Sequence, residues 1–221
     1  MPSEPTPDTP RLIDGSDAAA ATLLLAHGAG APMDSPFMAA IAAGLAGRGW
    51  RVVRFEFPFM ARQRRGERRA PPDRMPALQA CFRAQVEREL GRGGGALLIG
   101  GHSLGGRVAS LLADELAEAL AVRACLCLGF PFHHPRTPER WRSQHLATQR
   151  TPTLILQGER DPFGRPEAVR GCPLSPAVRL AWLPAGDHSL RPSRSSGLSE
   201  GDNWRSAGEQ ADRFLRGLAA P

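Results

Sequence analysis

The chain contains no lysine and no tyrosine, and aromatic side chains make up only 6% of its 221 residues. All 28 basic residues are therefore arginine, a bias that reflects codon supply and says nothing about mechanism. Long hydrophobic runs are missing as well. The run from Ala18 to Ala26 is too short to cross a bilayer. Asp14 and Asp17 precede it, where a secretory signal would carry basic residues. The sequence thus predicts a cytoplasmic protein with no membrane span. Cysteine is sparse, and Cys81, Cys125, Cys127 and Cys172 show no paired zinc spacing. They fit buried thiols in a reducing compartment, with Cys125 and Cys127 on one face of a strand.

What is present is an ordinary globular composition, 42% hydrophobic and 23% charged, long enough for one well-buried core. The net charge of +6 permits an acidic partner without requiring one. Arg62, Arg64, Arg65, Arg68, Arg69 and Arg74 crowd one segment bearing proline and glycine. A solvated basic loop accounts for them, and binding of an anionic substrate or partner is the alternative. No recognised motif and no interleaved aromatic residues accompany these arginines, so no nucleic acid is expected.

Residues 1–10 hold four prolines and few apolar groups. We expect a flexible lead-in over residues 1–20 and a single domain over 21–221. Short apolar runs then recur: Thr22–Ala26, Val52–Phe55, Ala96–Ile99, Ala124–Leu128, Thr153–Leu156 and Val178–Leu183. Most lack strict alternation, as strands covered on both faces do. Segments of helical period lie between or after them, at about 36–48, 75–91, 104–120, 136–148 and 203–218. Strand alternating with helix predicts a mostly parallel sheet with helices on both faces. Ligands of such sheets bind beyond the carboxyl ends of the strands, so the residues just after each run carry the functional signal.

After Ala96–Ile99 comes Gly100-Gly101-His102-Ser103-Leu104-Gly105-Gly106, then a helical stripe. A serine on a sharp strand-to-helix turn is held with its hydroxyl exposed above the sheet. Glycines two before and two after it, Gly101 and Gly105, make room for the close approach of strand and helix. A catalytic serine needs a base, and the base needs a carboxylate to fix its tautomer. The fifth run leads to Asp161 and the sixth to His188, giving the chain order Ser103, Asp161, His188. Asp187 and Glu159 are the rival acids, but adjacent side chains diverge and Asp187 neighbours the base itself. The first strand ends in His27-Gly28-Ala29-Gly30, a loop of small residues that can aim the N–H of Ala29 or Gly30 at a developing oxyanion. The N–H of Leu104 would be the second donor. His27 is read as shaping that loop, not as a base. Phe57-Pro58-Phe59-Met60 and Gly129-Phe130-Pro131-Phe132 also follow strands. Phe59 and Phe132 are candidate walls of the substrate pocket, with core packing the alternative.

His27-Gly28-Ala29-Gly30, the turn from Gly101 to Gly105, Gly158-Glu159-Arg160-Asp161 and Gly186-Asp187-His188 resemble small, lidless α/β-hydrolases. Within that superfamily the resemblance points to the dienelactone-hydrolase-like and carboxylesterase-like groups, over about residues 20–218. It implies a three-layer fold with a minimal, mostly parallel sheet of about six strands and no cap domain. It further implies hydrolysis of an acyl bond in a small ester-like substrate, with no cofactor and no metal. Dienelactone hydrolases use a cysteine where this chain has Ser103, and dehalogenases and epoxide hydrolases place an aspartate there. A thioesterase or acyltransferase on the same triad, and a non-catalytic interaction module on the same fold, are the alternative functions.

Overall fold

The apolar runs become strands whose neighbouring residues face opposite layers. A computed structural model describes residues 9–67, 71–93 and 95–219. The strands are β1 (Arg11–Asp14), β2 (Ala21–Ala26), β3 (Arg51–Phe55), β4 (Ala96–His102), β5 (Cys125–Leu128), β6 (Thr153–Gly158) and β7 (Val178–Leu183). They form one sheet in the order β1-β3-β2-β4-β5-β6-β7, parallel except for β1. The helices are α1 (Pro36–Ala46), α2 (Pro58–Arg64), α3 (Met75–Leu90), α4 (Leu104–Leu120), α5 (Pro166–Val169) and α6 (Glu200–Ala219). Four of them, α1, α2, α3 and α5, carry proline in their first two positions, where its missing N–H costs nothing.

Leu24, Ala26, Val53, Phe55, Leu97, Ile99, Cys125, Cys127 and Ile155 point into one core with Phe82 and Val86 of α3 and Val108, Leu112 and Leu116 of α4. Their strand neighbours Leu23, Leu25, Val52, Leu98, Leu126, Leu128, Leu154 and Leu156 point into a second core with Phe37, Met38, Ile41 and Leu45 of α1 and Ala207, Ala211 and Leu215 of α6. The result is the expected three-layer architecture. Both faces of the central strands are dry, which explains the unbroken hydrophobicity of their sequences.

Three expectations need correction. The sheet has seven strands, because residues 11–14 lie outside any flexible lead-in and pair antiparallel with β3. Arg-Leu-Ile-Asp is short, and Ile13 is exposed, so its sequence reads as surface. Ion pairs hold it instead, Arg11 to the buried Glu89 and Arg54 to Asp14 at 2.8 Å. Second, Pro58 starts the short helix α2 where no helix was expected. Third, the helix expected over 136–148 is only a 3₁₀ turn at Gln144–Ala147. Pro135 and Pro138 withhold backbone donors, and the Arg142 N–H is spent on the Phe132 carbonyl at 2.7 Å.

The turn from β4 into α4 is a close backbone junction. A Cβ on Gly105 would lie 2.4 Å from the Ala26 carbonyl oxygen and 2.7 Å from that of His27. A Cβ on Gly101 would meet the Ala26 oxygen at 2.7 Å. These obstacles are backbone and cannot swing aside. Gly105→Ala should therefore cost about 1–3 kcal/mol, as overpacking of a close-packed site does. Gly30→Ala, whose Cβ would meet nothing within 4 Å, should stay within about 0.5 kcal/mol. Urea unfolding of the two variants compares them directly. Equal midpoints would show that the β4–α4 junction yields without strain.

Candidate active site

Ser103 is the residue between β4 and α4, with φ 51° and ψ −113°. This left-handed conformation is costly for a side chain bearing Cβ and persists only when its surroundings impose it. They do so through the backbone. The Ser103 N–H donates to the Leu128 carbonyl at 2.9 Å, and its carbonyl accepts from the Arg107 N–H at 3.0 Å. The side chain is thereby set above the carboxyl end of the sheet, at the first turn of α4.

His188 reaches the same point from the loop after β7. Its Nε2 lies 2.7 Å from Ser103 Oγ, and its Nδ1 lies 2.8 Å from Asp161 Oδ2. Neutral histidine fits both contacts in one tautomer, with Nδ1–H donating to the carboxylate and Nε2 accepting from the hydroxyl. The Phe163 ring stacks on the imidazole at 4.3 Å between centroids. His102 pins the loop from beneath, its Nε2 3.0 Å from the His188 carbonyl oxygen. Burial lowers the His102 pKa to about 3, so it stays neutral and donates that hydrogen bond across the working pH range.

Asp161 is fully buried, at 0% exposure. A carboxylate there requires donors on both oxygens. Oδ1 accepts from the Phe163 N–H at 2.8 Å, and Oδ2 accepts from Gln157 Nε2 at 2.8 Å as well as from His188. Gln157 is itself buried and anchored, accepting from the Phe130 N–H at 2.7 Å. Sequence reasoning missed it. The available signal was a polar residue closing the apolar run of β6, whose burial demanded a partner.

The rival acids are otherwise occupied. Asp187 Oδ1 accepts from the Ser189 and Arg191 N–H groups at 2.8 and 2.9 Å, which shapes the loop carrying His188. Glu159 Oε2 accepts from the Ala185 N–H at 2.8 Å.

The loop after β2 leaves Ala29 and Gly30 exposed beside the site. His27 props that loop: Nδ1–H donates to the Gly28 carbonyl at 2.6 Å, and Nε2 accepts from the Phe57 N–H at 3.0 Å. Burial lowers its pKa, which keeps it in that neutral form. Leu104 is the first residue of α4, where an N–H has no intrahelical acceptor and the helix dipole favours negative charge.

Phe59 and Phe132 are not surface walls. They are 1% and 0% exposed and pack with Phe57, Phe130 and Leu146 under the site. Helix α2 turns Phe59 inward, its ring 5.5 Å from that of His27. The basic segment is largely neutralised: Arg62 pairs with Asp73 at 2.6 Å, Arg64 with buried Glu56 at 2.6 Å and Asp34 at 2.9 Å, and Arg65 with Glu67 at 3.0 Å. Arg74 is exposed, and Arg68 and Arg69 lie outside the described residues. Among the described residues no cluster of His, Cys, Asp and Glu could hold a metal ion, and no helix is long and apolar enough to cross a membrane.

Solved structures share this architecture. A serine hydrolase without a lid from Xanthomonas campestris is 23% identical, with a TM-score of 0.70 over 96% of this chain and 90% of that one. Est1E from Butyrivibrio proteoclasticus, solved with ferulic acid bound, is 13% identical, with a TM-score of 0.72 over 94% and 96%. A dienelactone hydrolase from Anabaena variabilis is 18% identical, with a TM-score of 0.67 over 95% and 92%. At these identities the likeness is one of fold. The family profile of the alpha/beta hydrolase domain matches residues 19–216, nearly the whole sequence, and the chain belongs to that family.

Proposed function

We propose that the protein is a serine hydrolase cleaving small carboxylic esters through an acyl-enzyme intermediate. The observation that carries this reading is the hydrogen-bonded line from Ser103 Oγ through His188 to Asp161, at 2.7 and 2.8 Å. Ser103 Oγ attacks the ester carbonyl carbon while its proton passes to His188 Nε2. The imidazolium so formed is stabilised by the buried Asp161 carboxylate, already held by Gln157 and Phe163. The Leu104 N–H and that of Ala29 or Gly30 receive the oxyanion. Collapse breaks the bond to the alcohol, which leaves with the proton from His188. Water then repeats the sequence on the acyl-enzyme and frees the acid. The four free cysteines suit a cytoplasmic setting for this enzyme.

A fluorophosphonate probe should add to Ser103 and to no other serine, because among the described residues only this hydroxyl stands at a strand-to-helix turn against an imidazole that a buried carboxylate orients. Intact mass and peptide mapping read the outcome. Folded protein that takes up no probe would refute the catalytic reading.

The choice of acid has its own test. Asp161→Asn should reduce turnover on the order of 10³- to 10⁴-fold by losing the orienting carboxylate. Asp187→Asn should reduce it far less, since its role is loop geometry. Steady-state kinetics on p-nitrophenyl acetate compare the two, and the reverse ranking would reassign the acid.

Acyl length provides a third. Between β5 and β6 the only helical element is the 3₁₀ turn Gln144–Ala147, and Phe57, Phe59, Phe130 and Phe132 are committed to the core. A long chain would then lie partly in water and gain much less per methylene than the ~0.8 kcal/mol of full burial. Among neutral p-nitrophenyl esters, kcat/KM should peak between acetate and butyrate. A steady climb through octanoate would reveal a hydrophobic tunnel instead.

A further inference from the structure

Among the described residues, all but two of the buried and half-buried arginines are balanced by carboxylates. Arg11 and Arg51 both reach Glu89, Arg54 takes Asp14, and Arg64 takes Glu56 and Asp34. Two half-buried arginines, one on the helix that begins at Ser103 and one on the segment packed against it, break the pattern. Arg107 lies one turn into α4, its N–H bonded to the Ser103 carbonyl. Arg142 lies on the segment between β5 and β6, its N–H bonded to the Phe132 carbonyl. Among the described residues neither guanidinium has a carboxylate within ion-pair distance. Arg107 Nε is buried without a hydrogen-bond partner. Arg11 and Arg51 also bury a nitrogen without a partner, but each carries a carboxylate on another nitrogen.

The surroundings do not relieve the charge. Burial lowers the Arg107 pKa first, and the like charge of Arg142 lowers it further. His145 stands next to Arg107 and is held neutral, burial and the Arg107 charge lowering its pKa to about 4. Its Nε2 lies 2.9 Å from Ser110 Oγ, so it is engaged in the protein and offers no counter-charge. Residues 130–149 hold Arg136, Arg140 and Arg142 but only one acid, Glu139, which sits 4.0 Å from Arg140. Guanidinium does not shed its proton to escape such a site. Two adjacent cations with no carboxylate are a site built for an oxyanion.

We propose that Arg107 and Arg142 bind a carboxylate or phosphate carried by the substrate, so that the preferred esters are small and anionic. Arg107 stands one helical turn, about 5.4 Å along the axis, beyond Ser103 on the helix that begins at it, and the segment carrying Arg142 packs on that helix through His145 and Ser110, 2.9 Å apart. The proposal rests on the hydrolase reading of the same site and adds the substrate class. It also relocates the acidic-substrate role from Arg62–Arg74, much of which is already paired.

Binding and turnover test it separately. The Ser103→Ala chain is titrated calorimetrically, at low ionic strength, with monomethyl succinate, methyl phosphate and neutral dimethyl succinate. Either anion should bind at least ten-fold more tightly than the neutral diester, and the tighter of the two identifies the group. Arg107→Gln and Arg142→Gln in that background should each abolish the preference, whereas Arg136→Gln, an exposed arginine of the same segment, should preserve it. If Arg107→Gln does not fold, Arg142→Gln alone decides. Anion binding that is absent, or indifferent to both arginines, overturns the subsite whether or not the protein hydrolyses esters.

In the turnover arm, kcat/KM is compared for mono-p-nitrophenyl succinate and p-nitrophenyl butyrate with Ser103 intact. The anionic-to-neutral ratio should fall at least ten-fold in either glutamine variant, through KM. An unchanged ratio with active enzyme rejects the proposal and leaves the hydrolase reading standing. Failure to hydrolyse any ester or to take up the fluorophosphonate probe rejects the hydrolase reading, and the substrate proposal falls with it.

Discussion

The backbone contact between the end of β2 and the start of α4 governs the geometry of the site. Gly101 and Gly105 let the Ala26 carbonyl approach to a distance that any Cβ would forbid. Only with strand and helix this close does the chain turn through Ser103 in a left-handed conformation. The strain of such a residue is about 1–3 kcal/mol, and it is held by bonds from Ser103 to both Leu128 and Arg107. Three strand ends and one helix start are therefore fixed relative to one another before any catalytic contact is made. The direction of Ser103 Oγ and the position of the Leu104 N–H both follow from that one junction.

A second constraint is electrostatic. A fully buried carboxylate is tolerable only if its lone pairs are met, and Asp161 meets them with donors from Phe163, Gln157 and His188. Gln157 ties this network to the exit of β5 through Phe130. The approach of Gly158 to the 186–187 backbone then brings the acid loop against the histidine loop, where a Cβ would lie 2.3 Å from the Asp187 carbonyl oxygen. Asp161 and His188 are thus positioned by backbone packing, with side-chain hydrogen bonds selecting the tautomer. An imidazole set this way needs little reorganisation when it takes up a proton, which is the physical content of preorganisation.

Much of this architecture is legible in the sequence, for definite reasons. Central strands covered on both faces must be hydrophobic throughout, so Thr22–Ala26 and Ala124–Leu128 announce themselves. Ser103, Asp161 and His188 stand out because each follows a short apolar run. The failures share a different cause, namely that the deciding partner is remote in sequence. Strand β1 depends on Glu89, in α3, and on Arg54, in β3. The helical period over 136–148 was overridden by prolines and by a carbonyl at Phe132 that claimed the Arg142 N–H. Phe59 and Phe132 follow strands like the site residues do, yet the inward turn of α2 and the packing against Gly164 place them in the core. Position along the chain locates the rim of the sheet; it does not tell which way a side chain turns there.

The same distinction applies to charge. In the sequence the arginines of 62–74 are conspicuous because they are contiguous, but contiguity is no measure of uncompensated charge. Folding brings Asp73, Asp34 and Glu56 to Arg62 and Arg64, and that density becomes a set of ion pairs. Arg107 and Arg142 are 35 positions apart in the numbering and unremarkable where they stand. They come near each other because the segment after β5 packs on α4, with His145 against Ser110 at 2.9 Å. A lysine there could lose its proton on burial and become neutral, whereas a guanidinium stays charged. In a chain whose only cationic side chains besides histidine are guanidiniums, a half-buried pair without carboxylates therefore marks a place where compensating charge must come from outside the fold.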